Sequence, residues 1–409
     1  MNSLFIGIDV SSQNNAVYFM KSDGTKHSSF SIQNNLTGGK ILSQRIVSAM
    51  KENCFDNAVI GLESTSVYGD NLVCFLREDY ELSKFNKKIH ILNAKQVKKF
   101  KDSYADLPKN DYIDSFVIAD HLRFGRITKE VYMDDYRYKA LQNLTRARFF
   151  AVQNLTKEKQ RTLNTIYLKF CTLATDKIFS DKFGATSLAV LEDFLTVDEI
   201  ADMDLIDLVS FLNEKGRSHF ADVEATAKAL QAAARGSYRL PKTVNDSVNQ
   251  VLSIQISSIR ALETQISVFD KAISEQIKII PNTLQSIPGI GPVFAAGIIA
   301  EIGDINRFDN QASLAKYAGL AWTQYQSGNF EAQNTRLIKS GNRYLRYYLI
   351  EATDSMRKRN SEYQDFFNLK LKEVNKYARK RALALTARKF VRLVYALLMT
   401  NRLYKQSEN

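Results

Sequence analysis

Four carboxylates are placed where an α/β protein could bring them together. The apolar run Leu4-Phe5-Ile6-Gly7-Ile8 ends in Asp9, and a polar turn then leads into a second apolar run over 16–20. Residues 57–62 repeat the pattern and end in Glu63. Asp111 and Asp114 are three apart at the start of an amphipathic segment, which puts them on one face of a helix. Each acid alone has an ordinary explanation: Asp9 caps a turn, and acids in a helix's first turn are favoured by its dipole. Converging on one crevice, the four would repel one another unless divalent cations neutralised them. An all-oxygen set suits Mg2+ or Mn2+, and such ions suit phosphodiester chemistry.

The C-terminal third offers a second set of groups. Pro288-Gly289-Ile290-Gly291-Pro292 reads as the turn of a helix-hairpin-helix, in which Gly289 and Gly291 let backbone N–H groups approach a phosphate. A plain turn between helices is the alternative. Ser327, in Gln326-Ser327-Gly328, offers a hydroxyl, although most Ser-Gly pairs are turns. A serine is a poor nucleophile at neutral pH and needs a base or a metal beside it. The chain has four histidines and none near Ser327, so a carboxylate-bound metal from the other domain is the simplest activator. Lys339, Asn342, Arg343 and Arg346 lead into a basic helical tail and read as nucleic-acid contacts. From residue 331 onward 18 Lys and Arg face 7 Asp and Glu, so nearly all of the net charge of +12 lies there. Such a block favours a polyanion, DNA or RNA.

Positioning these groups takes a sheet and a set of helices. Three early strands, the third over 26–33, are followed by a turn at 34–39 and a helix over 40–52. A strand over 57–63, a helix over 68–78 and a strand over 88–93 complete the order of a ribonuclease H-like fold. Strand ends in the middle of such a sheet place side chains in a common crevice. The expected organisation is an α/β RNase H-like domain over 1–135, a helical region over 136–280, and an all-α domain with the helix-hairpin-helix over 281–409. Arg146, Arg148, Lys157, Lys159 and Arg161 lie either on a solvated helix face or against nucleic acid. Leu252, Ile256, Ile259, Leu262, Ile266, Phe269, Ile273 and Ile277 fall at steps of three or four along a helix over 243–280. That seam suits a dimeric coiled coil and an intramolecular helix pair equally. The segment 176–240 gives short helices without a legible task. Three cysteines form no zinc pattern and no disulfide framework, which fits a reducing cytoplasm. No leader or membrane span is expected.

Several stretches together resemble the DEDD insertion-sequence transposases related to the Piv DNA invertase. They are Gly7-Ile8-Asp9-Val10, Gly61-Leu62-Glu63-Ser64, Lys109-Asn110-Asp111-Tyr112-Ile113-Asp114 and the block over 287–346. Within that block lie Glu301-Ile302-Gly303-Asp304-Ile305, Tyr317-Ala318-Gly319-Leu320 and Lys339-Ser340-Gly341-Asn342-Arg343. The resemblance implies a RuvC-like N-terminal domain and a separate C-terminal transposase domain. It implies that Asp9, Glu63, Asp111 and Asp114 bind Mg2+ and that Ser327 attacks a DNA phosphate to give a covalent phosphoserine link. It also implies a structured bridge RNA, encoded by the element, that pairs with donor and target DNA. A homodimer or homotetramer that synapses two duplexes, working in a bacterial cytoplasm on the nucleoid, completes the expectation. Asn110 and Ser115 depart from the Thr and Ala often found there, and both are small and polar enough to be tolerated. The alternative is a RuvC-like junction or RNA-guided endonuclease that uses metal-activated water and never Ser327. A sugar-kinase-like ATPase would need a Gly-rich adenosine loop that is not legible, and a DNA-binding scaffold would have no use for the four acids.

Overall fold

The computed structural model describes residues 2–63, 67–104, 107–108, 110–125, 136–217, 220–322, 326–327, 330–331, 337–338 and 340–405. The chain divides into two compact units, one of residues 1–136 with 304–313 and one of 137–303 with 314–409. In the first, β1 (Ser3–Val10), β2 (Asn14–Met20), β3 (Lys26–Gln33), β4 (Asn57–Glu63) and β5 (Asn86–Leu92) form one sheet of order β3-β2-β1-β4-β5. The first three strands pair antiparallel, and β4 and β5 extend the sheet in parallel from β1. Its helices are α1 (Leu36–Glu52), α2 (Asp70–Glu78), α3 (Tyr80–Ser83), α4 (Ala94–Lys101) and α5 (Asp111–Phe124).

Alternation along the central strands sets the layers, because successive side chains point to opposite faces. Leu4, Ile6 and Ile8 of β1 and Ala58, Ile60 and Leu62 of β4 bury against Leu42, Ile46 and Met50 of α1 and Leu72, Val73 and Leu76 of α2. Each such aliphatic side chain contributes roughly 1.5–3 kcal/mol on burial. Phe5, Gly7 and Asp9, with Val59, Gly61 and Glu63, therefore face the opposite layer, where Val117, Ile118 and Leu122 of α5 are buried. A slip of one residue in either strand would drive an acid into the apolar core. One boundary differs from expectation. The helix placed over 40–52 starts at Leu36, because Asn35 caps it by accepting a hydrogen bond from the Gly38 N–H at 2.9 Å. Gly38 sits where a Cβ would strike the Gln33 carbonyl oxygen at 1.9 Å, so it marks close helix–strand packing within the stretch expected to be a turn.

The second unit is largely helical. It contains α6 (Tyr136–Lys169), α7 (Cys171–Thr175), α8 (Ala185–Asp193), α9 (Val197–Asp202), α10 (Leu205–Gly216), α11 (Val223–Gly236) and α12 (Lys242–Gln276). The α6 and α12 helices run antiparallel, with Arg148 paired to Asp270 and Lys159 to Glu263 at 2.7 Å. Leu252 and Ile256 of α12 bury in one core with Ile166 of α6 and with residues of α8–α11. The apolar seam of α12 is thus used, over these turns, by a helix pair within the chain. Of the five basic residues expected on α6, Arg146, Arg148, Lys159 and Arg161 are ion-paired to acids of the same unit.

The remainder comprises α13 (Pro292–Ile302), α14 (Gln311–Tyr317), β6 (Ala321–Trp322), β7 (Gln326–Ser327), β8 (Phe330–Glu331), β9 (Leu337–Ile338), α15 (Arg343–Arg357), α16 (Ser361–Lys372) and α17 (Ala378–Thr400). The β6 strand pairs with β9 and β7 with β8, both antiparallel, which corrects the expectation of an all-α domain. Gly319 and Gly341, at φ of +69° and +149°, flank these ladders in conformations that favour glycine, the first after α14 and the second before α15. A second correction concerns the helix-hairpin-helix. Only a single 3-10 turn, Leu284–Ser286, precedes the Pro-Gly-Ile-Gly-Pro turn. Pro281 and Pro288 bracket it and leave no room for a full helix. The helix that follows is real and tightly packed: a Cβ on Gly297 of α13 would meet the Tyr348 ring at 2.3 Å. The Tyr348 hydroxyl donates to the Thr145 carbonyl at 2.7 Å. Among the described residues no helix is long and apolar enough to cross a membrane.

Candidate functional site

Two strand ends and one helix start make the acidic site. The β1 and β4 strands pair Gly7 with Gly61 and Ile8 with Leu62, so the next residues in register are Asp9 and Glu63. Neighbouring strands lie about 4.8 Å apart. The two glycines then admit α5: a Cβ on Gly7 would lie 2.0 Å from the Ser115 carbonyl oxygen and 2.5 Å from the Ala119 nitrogen. A Cβ on Gly61 would lie 2.8 Å from Leu122 Cδ1. With Ser115 seated over Gly7, the first turn of α5 brings Asp111 and Asp114 toward the Asp9 end of the strand. The two departures from the family pattern have clear places in this arrangement. Asn110 caps α5 by accepting from the Ile113 N–H at 2.8 Å, and the buried Ser115 donates to the Tyr112 carbonyl at 3.0 Å.

Burial and mutual repulsion set the electrostatics of these acids. Burial pushes the Asp9 carboxyl up to about 6, and the charges of Asp114 and Asp111 push the same way. Glu63 is raised by burial and then by Asp9 and Asp114. One residue opposes both shifts, Lys101 at the end of α4, whose ammonium lies 2.5 Å from Asp114. The sequence reading missed Lys101; the only local sign was the run of lysines that ends there. A further acid on α5, Asp120, is different. The Tyr104 hydroxyl donates to it and Arg123 Nε donates to it at 2.7 Å, so its charge is already matched.

Among the described residues no three His, Cys, Asp or Glu side chains are drawn close enough to hold a metal ion. The quartet nevertheless fits a hard divalent cation on two counts. All of its donors are carboxylate oxygens, and Asp9 and Glu63 each suffer from the other acids' charge.

The remaining expected site residues lie in the second unit. Gly289, at φ +88°, packs against α15: its would-be Cβ lies 3.0 Å from the Ser355 carbonyl oxygen, and its own carbonyl accepts from Ser355 Oγ at 2.8 Å. Gly291 caps α13 and has nothing within 4 Å of its would-be Cβ. Ser327 lies in β7, opposite Phe330 of β8, and its backbone alone is described. Lys339 lies outside the described residues. Arg343 is exposed, with its guanidinium 4.8 Å from the Tyr344 ring centroid and 5.3 Å from that of Phe150.

Asn342 and Arg346 are turned to other work. Asn342 caps α15 through its side-chain oxygen, and its amide donates to Glu301 at 2.6 Å and to the Tyr317 hydroxyl at 3.2 Å. Arg346 is half-buried and donates to the Ala318 carbonyl at 3.2 Å. The geometry thus gives both a role inside the protein, where the sequence suggested nucleic-acid contacts.

Comparison with known proteins matches this layout. A sequence profile described as a transposase covers residues 6–170, which hold all four acids, and a second covers 282–368, which hold Ser327. The class is therefore that of a transposase. The second profile is that of the IS116/IS110/IS902 transposases; the two together cover more than half of the chain, and it belongs to this family. Its relatives include an uncharacterized 44.8 kDa protein of insertion element IS116 from Streptomyces clavuligerus, 26% identical over 322 residues and 76% of each chain. The transposase of insertion sequence element IS1111A from Coxiella burnetii is 29% identical over 157 residues, 36% of this chain and 43% of that one. A pilin gene-inverting protein from Moraxella bovis is 30% identical over 165 residues, 37% of this chain and 51% of its own.

Proposed function

We propose that the protein cuts and rejoins DNA, with Ser327 as nucleophile and Asp9, Glu63, Asp111 and Asp114 as the ligands of Mg2+ or Mn2+. The observation that carries the reading is the grouping of half-buried Asp9 and Glu63 with the acids of α5 beside Gly7 and Gly61, where burial first and the neighbouring acids second raise Asp9 to about 6 and raise Glu63 with it. Carboxyls held above their ordinary range by burial and like charge cluster at functional sites. The strand order β3-β2-β1-β4-β5, with acids at the ends of the two central parallel strands, supports an RNase H-like, RuvC-like reading of the first unit.

In this reading the Ser327 oxygen forms a bond to phosphorus as a P–O bond of the DNA backbone breaks, and the serine proton leaves to a base. The released DNA hydroxyl, or one from a second duplex, then attacks the phosphoserine and restores the serine. One ester is exchanged for another at each step, so rejoining needs no nucleotide cofactor. When bound, the divalent ion would supply Lewis-acid stabilisation of the phosphate charge. The acids hold that ion, and Lys101 holds Asp114 in its absence. The basic stretch after residue 331 supports DNA as a partner, and a bridge RNA and a dimer or tetramer belong to the same proposal.

The test is to incubate the protein with Mg2+, a transcript of the gene's flanking sequence and radiolabelled donor DNA, then run denaturing protein gels. A protein–DNA adduct lost in Ser327→Ala and in Asp9→Ala is expected. Nicked DNA without adduct, persisting in Ser327→Ala, would mean that water is the nucleophile.

A further inference from the structure

Glu301 is a fully buried carboxylate near the C-terminal end of α13, where both burial and the helix dipole disfavour negative charge. It is nonetheless well supplied with donors. Arg146 of α6 reaches it through Nε at 2.7 Å and Nη2 at 2.8 Å, and Gln142 of the same helix donates at 3.2 Å. Asn342 donates from the start of α15 at 2.6 Å. Burial alone would lower the Arg146 pKa, but the hydrogen bonds and charge of Glu301 raise it above the ordinary value. A buried ion pair of this kind is on average no more stabilising than well-packed apolar side chains. What it supplies is a fixed geometry among the elements it joins.

Those elements include both ends of one segment. The chain leaves α14 at Tyr317, runs through Gly319 to the ladders that contain Ser327, and returns through Gly341 to Asn342. The Asn342 N–H donates to the Tyr317 carbonyl at 2.7 Å, which closes the base of the segment. Close contact holds it there. A Cβ on Gly341 would lie 2.5 Å from the Tyr317 carbonyl oxygen, and one on Gly319 would lie 2.3 Å from Arg346 Nη1.

We propose that Glu301 is a positioning residue: through Asn342, and braced by Arg146 and Gln142, it fixes the base of the segment that presents Ser327. The role rests on the reading of Ser327 as nucleophile. Glu301 touches neither the serine nor DNA in this role. It sets where the segment starts and ends, and misplacement of a reacting group by about 1 Å can cost on the order of 100-fold in rate.

Two variants test it. Glu301→Gln keeps the shape and removes the charge. Asn342→Ser keeps a side-chain oxygen to cap α15 and removes the amide that reaches Glu301. Each is compared with wild type by amide hydrogen exchange, by filter-binding affinity for the donor duplex and by the rate of the Ser327-dependent adduct. Amides of Ala321–Trp322 and Leu337–Ile338 are expected to exchange about tenfold faster, with α16 and α17 unchanged. Adduct formation is expected to slow by about 100-fold while the affinity of Glu301→Gln stays within about twofold of wild type. A general loss of stability would speed exchange throughout the unit and would not separate rate from affinity. Should Glu301→Gln fail to fold, Asn342→Ser carries the same expectations for exchange and rate. Folded variants with wild-type exchange and rate overturn the role given to Glu301 and leave the nucleophile reading intact. Absence of any wild-type adduct overturns that reading and this role with it.

Discussion

The two units each bury carboxylate, and they treat it in opposite ways. In the first, half-buried Asp9 and Glu63 are pushed toward protonation by burial and by neighbouring acids, and among the described residues Lys101, paired to Asp114, opposes both shifts. In the second, Glu301 lies among Arg146, Gln142 and Asn342, and both of its oxygens accept hydrogen bonds from them. On the proposed reading, the raised carboxyls of the first unit are a place for a cation from outside to bind, while the matched Glu301 holds its own unit together. Asp120, matched by Tyr104 and Arg123 six residues beyond Asp114 on α5, shows that the contrast is local and does not follow from residue type.

Removing the acid in each unit should therefore change stability with opposite sign. The largest effect is expected for Glu301→Leu, which strands a guanidinium and two amides with little loss of volume. It should destabilise the protein by about 3 kcal/mol, the lower end for a broken buried pair because Arg146 keeps some access to water. Chemical denaturation at pH 7.5 measures it.

Asp9→Asn should stabilise the metal-free protein at pH 7.5, by about 1 kcal/mol once solvent screening of a half-buried group is allowed for. The sign follows from the direction of the shift. A carboxyl whose folded pKa is raised costs stability above that pKa and costs nothing below its unfolded one. The advantage of Asp9→Asn should thus be full above pH 6, shrink between about 6 and 3.8, and vanish below. A constant difference across that range would contradict the assignment. The smallest effect is expected for Lys101→Met, which removes the one cation that opposes both shifts. The pH at which Asp9 titrates should move up by a few tenths of a unit, followed by NMR of its carboxyl carbon.

The acidic site was legible in the sequence because its signals are local. A period of two with an acid at the strand end places Asp9 and Glu63, and a spacing of three places Asp111 and Asp114 on one helix face. Gly7 and Gly61 were visible too, but their use became clear only when α5 was seen to rest on them. Glu301 could not be read in this way. Its partners lie 155 and 41 residues away, and the motif around Asn342 and the basic run around Arg146 do not say that the two meet at Glu301. The same holds for the seam of α12, whose periodicity calls for an apolar partner without saying which. Among the described residues the strands of the second unit are two residues each, below the length at which alternation can be seen.

The most direct measurement is a calorimetric titration of Mn2+ into wild type, Asp9→Asn and Glu301→Gln at pH 7.5. If the acidic group in the first unit is a metal site, wild type and Glu301→Gln will bind Mn2+ alike, and Asp9→Asn will bind it at least about tenfold more weakly. Binding that survives unchanged in Asp9→Asn, or wild type that binds no Mn2+ at all, would contradict the account.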